Sequence, residues 1–175
     1  MSSVIFSKND CDFIKSYWDD TKSLNGSGRI SFKIDEVNTI SYNRKVNGYY
    51  IDYNDTILLN FILERLQKIN IKSITPAYVK IAKYKKGDYF EPHHDFNFYG
   101  KGSIYKTLVV QLSDASTYIG GDLYVKGVSQ PREQGSYSLF FSSDIHEVKL
   151  VENGIRFSLT IFLQETDFIN TKTLI

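Results

Sequence analysis

Apolar residues recur at two different spacings along this chain. Between Lys8 and about residue 20, Cys11, Ile14, Tyr17 and Trp18 follow a helical period, and Ser7 with Asp10 forms a capping-box pattern ahead of them. The stretch Ser23–Gly28 ends that predicted helix. Residues 29–53 alternate as short strands, as in Arg29–Ile34 and Gly48–Tyr53, with Asn47-Gly48 as a turn signal. Asp55 is placed to cap a second helix whose apolar stripe is Ile57, Leu58, Phe61, Ile62, Leu66 and Ile69, and Pro76 returns the chain to an extended form.

From Ala77 to Gln164 the period drops to two. Tyr78–Tyr84, Tyr105–Leu112, Gly121–Val125, Ser136–Phe141, His146–Leu150 and Arg156–Leu163 read as strands separated by Gly, Asp, Asn and Ser turns. This predicts a mainly β fold with flanking helices, a sandwich or jelly roll. There is no internal repeat, and Thr166–Ile175 reads as a loosely docked end.

Composition narrows the picture. A chain of 175 residues, 42% hydrophobic, fills one core and not two, so a single domain is expected. Thirteen tyrosines and twelve phenylalanines against three prolines favour strands. Lys and Arg number 21 against 20 Asp and Glu, and a net charge of +1 argues against a nucleic-acid partner. Lys80, Lys83, Lys85 and Lys86 alternate with apolar residues and read as a solvated edge. Cys11 is the only cysteine, which excludes an intrachain disulfide and reads as a small buried hydrophobe. Neither a signal peptide nor an apolar run of membrane length is visible, so a soluble cytoplasmic protein without a membrane partner is expected.

The chemistry is concentrated in three histidines, His93, His94 and His146. In extended chain, His93 and Asp95 point to the same face of the pleat and can reach one ion. A third ligand must come from elsewhere, and His146 is the only histidine outside this cluster. Two histidines and a carboxylate on one face of an octahedron leave three open positions, the ligand set of non-haem Fe(II) oxygenases. A His-x-Asp pair alone arises by chance in many chains. Arg156 adds weight, because it lies ten positions after His146 and opens a strand whose same-face residues are Ser158 and Thr160. A buried guanidinium with a hydroxyl two residues along can hold a carboxylate.

Tyr84–Phe96, Gly120-Gly121-Asp122-Leu123, His146 and Arg156–Thr160 together resemble the Fe(II)- and 2-oxoglutarate-dependent dioxygenases of the prolyl 4-hydroxylase type. The resemblance covers residues 77–164 closely and implies a double-stranded β-helix (jelly roll), with residues 1–76 as helical and strand support packed on one sheet. It implies that His93, Asp95 and His146 are the iron ligands. Arg156 would pair with the distal carboxylate of 2-oxoglutarate, with Thr160 as a supporting hydroxyl. Tyr84 matches the tyrosine that hydrogen-bonds the cosubstrate, though an ordinary core aromatic would read the same way. Gln111 is a further candidate cosubstrate contact, and His94 should point away from the metal. Gly120-Gly121 matches a glycine pair beside the substrate entrance, and also a tight turn that needs positive φ. Phe162 stands where nucleic-acid demethylases of the wider superfamily carry a second arginine, which argues against repair chemistry. Residues 35–55 fall where relatives have a mobile covering segment.

The implied activity is hydroxylation with Fe(II), 2-oxoglutarate and O2, with ascorbate as a candidate reductant and succinate and CO2 as co-products. The resemblance favours prolyl residues in a peptide or protein as substrate. A free amino acid, another protein side chain or a nucleic acid are alternatives within the same chemistry, and a non-catalytic jelly-roll binding module is the alternative outside it.

Overall fold

The structure, a computed structural model, describes residues 4–26, 28–33, 39–75, 78–95 and 104–168. In chain order its elements are α1 (Lys8–Ser16), β1 (Leu24–Asn25), β2 (Gly28–Lys33), β3 (Thr39–Lys45), β4 (Asn47–Tyr50), α2 (Thr56–Leu66), β5 (Val79–Lys85), β6 (Tyr89–His93) and β7 (Lys106–Gln111). They continue with β8 (Tyr118–Gly120), β9 (Leu123–Val125), β10 (Val128–Ser129), β11 (Tyr137–Phe141), β12 (His146–Val148) and β13 (Val151–Leu163). One sheet has the order β1-β4-β5-β13-β7-β11, with β8 paired to the start of β13, and the other runs β10-β9-β12-β6-β3-β2. All pairings are antiparallel. This is the double-stranded β-helix expected from the strand pattern.

Alternation along the central strands of the first sheet sorts side chains into two layers. Val79, Ile81, Leu108, Val110, Leu159, Ile161 and Leu163 pack with Cys11 and Ile14 of α1 and with Leu58, Leu59, Ile62 and Leu66 of α2. Truncating any one of these large aliphatics to Ala costs roughly 2–5 kcal/mol. The other face of the same strands looks between the sheets, where Ala82, Tyr84 and Val109 meet Phe90, Leu123, Val125 and Val148 of the second sheet.

Several local expectations are corrected. The first helix stops at Ser16 and not near residue 20: Asp19 accepts from the backbone N–H of Thr21, Asp20 accepts from Trp18 Nε1, and the Trp18 ring leaves the helical stripe to pack on Tyr49 and Phe157. Its capping box between Ser7 and Asp10 forms as read. In α2, Ile57 is exposed and Leu59 takes its place in the core, while the Asp55 carboxylate accepts from Asp52 N–H and not from the helix. Asn47-Gly48 is not a turn. Val46, buried between the sheets, is the single residue at which the chain passes from β3 in one sheet to β4 in the other. Residues 39–45 and 47–50 of the expected covering segment are therefore strands, and residues 34–38 lie outside the described residues. The start of the C-terminal segment is docked: Asp167 is buried, accepts from Ser73 Oγ and offers its carbonyl to Lys72 N–H, while residues 169–175 lie outside the described residues. Among the described residues, no helix is long and apolar enough to cross a membrane.

Candidate active site

β6 and β12 bring the two histidines together. His146 pairs with His93 and Val148 with Phe90, so three residues of β6 span what two span on β12. This bulge turns His93 to the same face as Phe90, and the two rings stack with centroids 3.5 Å apart. Asp95 follows β6 and is tied by its N–H to the Ser142 carbonyl. The ligand-capable atoms of His93, Asp95 and His146 all lie within 4.8 Å of one another, and all three residues are buried.

The hydrogen bonds orient these donors. His93 Nδ1 lies 2.7 Å from the Glu91 carbonyl and His146 Nδ1 lies 2.9 Å from the Asp144 carbonyl. A carbonyl oxygen only accepts, so Nδ1 carries a proton in each ring and the Nε2 atoms are left facing the carboxylate. Nε2 of His146 is 3.2 Å from Asp95 Oδ2, and Nε2 of His93 is 3.7 Å from Oδ1. Thr107 Oγ1 donates to Asp95 Oδ2 at 2.6 Å and fixes the carboxylate plane.

Electrostatics in the metal-free cluster follow from this packing. Burial works against ionised Asp95, but His146, His93 and the Thr107 hydrogen bond outweigh it and hold the carboxyl below the ordinary range. Burial, reinforced by the His146 charge, pushes His93 down to about 3. For His146, burial is outweighed by the Asp95 charge and hydrogen bond, and its pKa is raised. Two imidazole nitrogens aimed at one buried carboxylate need a cation between them, either a proton on His146 or a metal ion. The donor set of two neutral nitrogens and one carboxylate fits a divalent transition metal.

A cavity of about 440 Å³, including its open mouth, runs from this cluster into the barrel. His93, Asp95 and His146 line it together with Tyr84, Arg156 and Thr160. Arg156 is 1% exposed and has no carboxylate partner among the described residues. Its Nη2 donates to Gln111 Oε1 at 3.0 Å, its Nη1 reaches Ser158 Oγ at 3.5 Å, and its Nε is unpaired. A buried guanidinium held only by neutral acceptors fits an anionic group.

Register places the other site residues. Tyr84 stands opposite Arg156, whose guanidinium carbon is 5.2 Å from the ring centre. Burial raises the Tyr84 phenol to about 12, so it stays a hydrogen-bond donor at neutral pH. Thr160 lies two pleats along from Arg156, opposite Lys80, and the hydroxyl that contacts the guanidinium is that of Ser158. Gln111 does not line the cavity but holds Arg156 from behind. His94 is half-buried and outside the cavity lining. Gly120 and Gly121 both have positive φ, 73° and 68°, and a Cβ on Gly121 would come within 3.2 Å of Arg156 Cδ. The pair therefore lets the β8–β9 connection close over Arg156.

Three further residues matter that no motif marks. Thr107 orients Asp95 from the facing sheet. Arg132 donates to Asp122 Oδ1 and to the carbonyls of Gly120, Tyr118 and Ala115, which holds the glycine turn in place. Lys80, read from sequence as part of a solvated edge, is 9% exposed and lines the cavity. The signal for Thr107 and Lys80 was strand parity alone, since each falls on the inward face of its strand.

A β-helix enclosing a two-histidine, one-carboxylate cluster and a buried arginine defines a non-haem oxygenase architecture. Residues 79–164 match the 2OG-Fe(II) oxygenase superfamily, and the chain belongs to that family as a 2-oxoglutarate-dependent dioxygenase. No curated protein matches it in sequence. Among solved structures it is similar to the viral collagen prolyl hydroxylase of Paramecium bursaria Chlorella virus 1 in its 2-oxoglutarate complex, with a TM-score of 0.59, 15% identity and 91% of each chain covered. An oxidoreductase of the 2OG-Fe(II) oxygenase family from Burkholderia pseudomallei aligns with a TM-score of 0.52 and 16% identity over 95% of this chain and 84% of its own. A Trichoplax adhaerens prolyl hydroxylase bound to a hypoxia-inducible-factor peptide aligns with a TM-score of 0.52 and 18% identity over 71% of this chain and 65% of its own.

Proposed function

We propose that this chain hydroxylates prolyl residues in a peptide or protein, with His93, Asp95 and His146 holding Fe(II) and Arg156 holding the far carboxylate of 2-oxoglutarate. The observation that carries this reading is the content of one cavity: a converging His-Asp-His donor set and a buried arginine that has no carboxylate partner among the described residues. Bound Fe(II), with 2-oxoglutarate and O2, supplies C–H hydroxylation coupled to decarboxylation of the oxo acid to succinate and CO2.

The chain's own residues bind and orient. Gln111 and Ser158 fix the guanidinium, and Tyr84 supplies a phenol donor beside it. Ala82 and Ser158, paired across β5 and β13, keep the floor low between the row of Arg156 and the row of Thr160. Phe90, Leu123, Val148 and Phe162 make the rest of the wall apolar and limit water. The prolyl choice draws support from fold likeness to two prolyl hydroxylases, one of them bound to a peptide.

Incubating the protein with Fe(II), 2-oxoglutarate and proline-containing peptides should add one oxygen atom, about 16 Da, to the peptide and release succinate in equal amount. Succinate release with no oxygen on any prolyl peptide would remove the prolyl reading and leave the dioxygenase. Repeating the assay with added ascorbate shows whether a reductant sustains turnover.

A further inference from the structure

We propose that Lys80 is a specificity residue that selects a primary substrate carrying a carboxylate next to the oxidised residue. This rests on the prolyl reading only for the identity of that residue. Lys80 is 91% buried yet lines the cavity, and it makes no hydrogen bond or ion pair among the described residues. Among the described residues its Nζ lies near two ring faces, Phe162 at 5.4 Å and Tyr50 at 6.0 Å from the centroids. The ammonium therefore offers three donors to the cavity, where no carboxylate of the described residues pairs with it, and an anionic ligand group fits there.

The position of Lys80 separates it from the arginine. On the cavity face, Arg156 pairs with Tyr84, Ser158 with Ala82 and Thr160 with Lys80. Two pleats therefore lie between the backbone rows that carry the two residues, a separation of roughly 13 Å along the strands. Lys80 belongs to the metal end, and its charge acts on both His93 and His146. Its stem is accommodated by β4, because a Cβ on Gly48 would stand 3.3 Å from Lys80 Cδ. Gly48 has ordinary strand backbone, so the missing side chain makes room for the lysine and is not a turn requirement.

Charge balance identifies the ligand. A divalent metal, Lys80 and Arg156 are opposed by Asp95 and by the two carboxylates of 2-oxoglutarate, which leaves one positive charge in a largely apolar cavity. That charge lies at the metal end, where the C–H bond to be oxidised must come. A carboxylate on the substrate, from an acidic neighbour or a chain terminus, neutralises it.

The test uses full-length protein loaded with Mn(II) and 2-oxoglutarate, and calorimetry with paired probes. One pair is acetyl-prolyl-glutamate amide and acetyl-prolyl-glutamine amide, and the other has alanine in place of proline. Wild type should bind the carboxylate member of a pair roughly tenfold or more tightly than its amide. Lys80→Met should abolish the preference, Lys80→Arg should retain it, and both should keep their affinity for 2-oxoglutarate. Equal binding of acid and amide by wild type in both pairs, or a preference that survives Lys80→Met, overturns the proposal. So does a loss of 2-oxoglutarate affinity in Lys80→Met as large as in Arg156→Met, which would assign the lysine to the cosubstrate. An acid preference in the alanine pair with no binding of either proline probe supports the lysine's role and overturns the prolyl reading instead.

Discussion

At the scale of single residues, proton bookkeeping at the His-Asp-His cluster fixes how metal binding depends on pH. His146 is protonated more readily than an ordinary histidine because Asp95 faces it, whereas His93 is held neutral down to about 3 and Asp95 is ionised throughout the usual range. A metal ion must displace the His146 proton and no other between about pH 4 and neutrality. The affinity for Co(II), measured by calorimetry without cosubstrate, should therefore rise about tenfold per pH unit up to the raised His146 pKa and then level off. A slope near two would mean that His93 also carries a proton, contrary to its burial. The folding contributions oppose each other. The raised His146 stabilises the fold below its unfolded pKa of about 6.5 and loses this as pH rises through its folded value, while the lowered His93 stabilises it above about 6.5 and loses this as pH falls towards 3.

Arg156 gives a second residue-scale expectation. Arg156→Met removes a buried cation and leaves Gln111 Oε1 without its donor. Binding of 2-oxoglutarate to the Mn(II) protein should weaken by roughly 1.5–3 kcal/mol, while Mn(II) affinity itself stays within about twofold. His93, Asp95, His146 and Arg156 were legible in the sequence because their spacing reflects a single chemical requirement. Lys80 and Thr107 were not, because each acts on a partner brought close only by sheet pairing or sheet facing.

At the scale of elements, the β8–β9 connection shows how backbone conformation controls the site. Gly121 has φ 68°, and an added Cβ would fall 2.9 Å from Val151 Cγ2 and 3.2 Å from Arg156 Cδ. Gly121→Ala should cost about 1–3 kcal/mol of stability through the left-handed conformation and the contact, read by urea unfolding. It should also raise the 2-oxoglutarate dissociation constant, since the arginine has to move. An Ala variant with unchanged stability and unchanged cosubstrate binding would show that the glycine is only a turn former. The strands follow from period-two alternation, but the start of β4 at Asn47-Gly48 does not. Asn-Gly is a hairpin signal in most settings, whereas here the glycine accommodates a lysine stem from the neighbouring strand, a contact 32 positions away in sequence.

At the scale of the whole molecule, the N-terminal third is built into both sheets. β3 pairs with β6 at Arg44–Phe90 and Lys45–Tyr89, and β4 pairs with β5 along four residues. α1 and α2 cover the aliphatic face of β5, β7 and β13, which would otherwise expose Val79, Ile81, Leu108, Val110, Leu159 and Ile161. An exposed apolar layer of that extent, together with an unpaired edge on β5, favours aggregation over folding. The family match begins at residue 79, and sequence alone separates a support segment, 1–76, from a catalytic core, 77–164. If the two form one domain, a chain starting at residue 77 should lack a cooperative thermal transition and should not bind Co(II), because β6 loses β3 and the first sheet loses its helical cover. Circular dichroism melting and metal titration of that chain decide the matter. A sharp transition with wild-type metal affinity would mean that the jelly roll stands alone and that β3 and β4 only extend it.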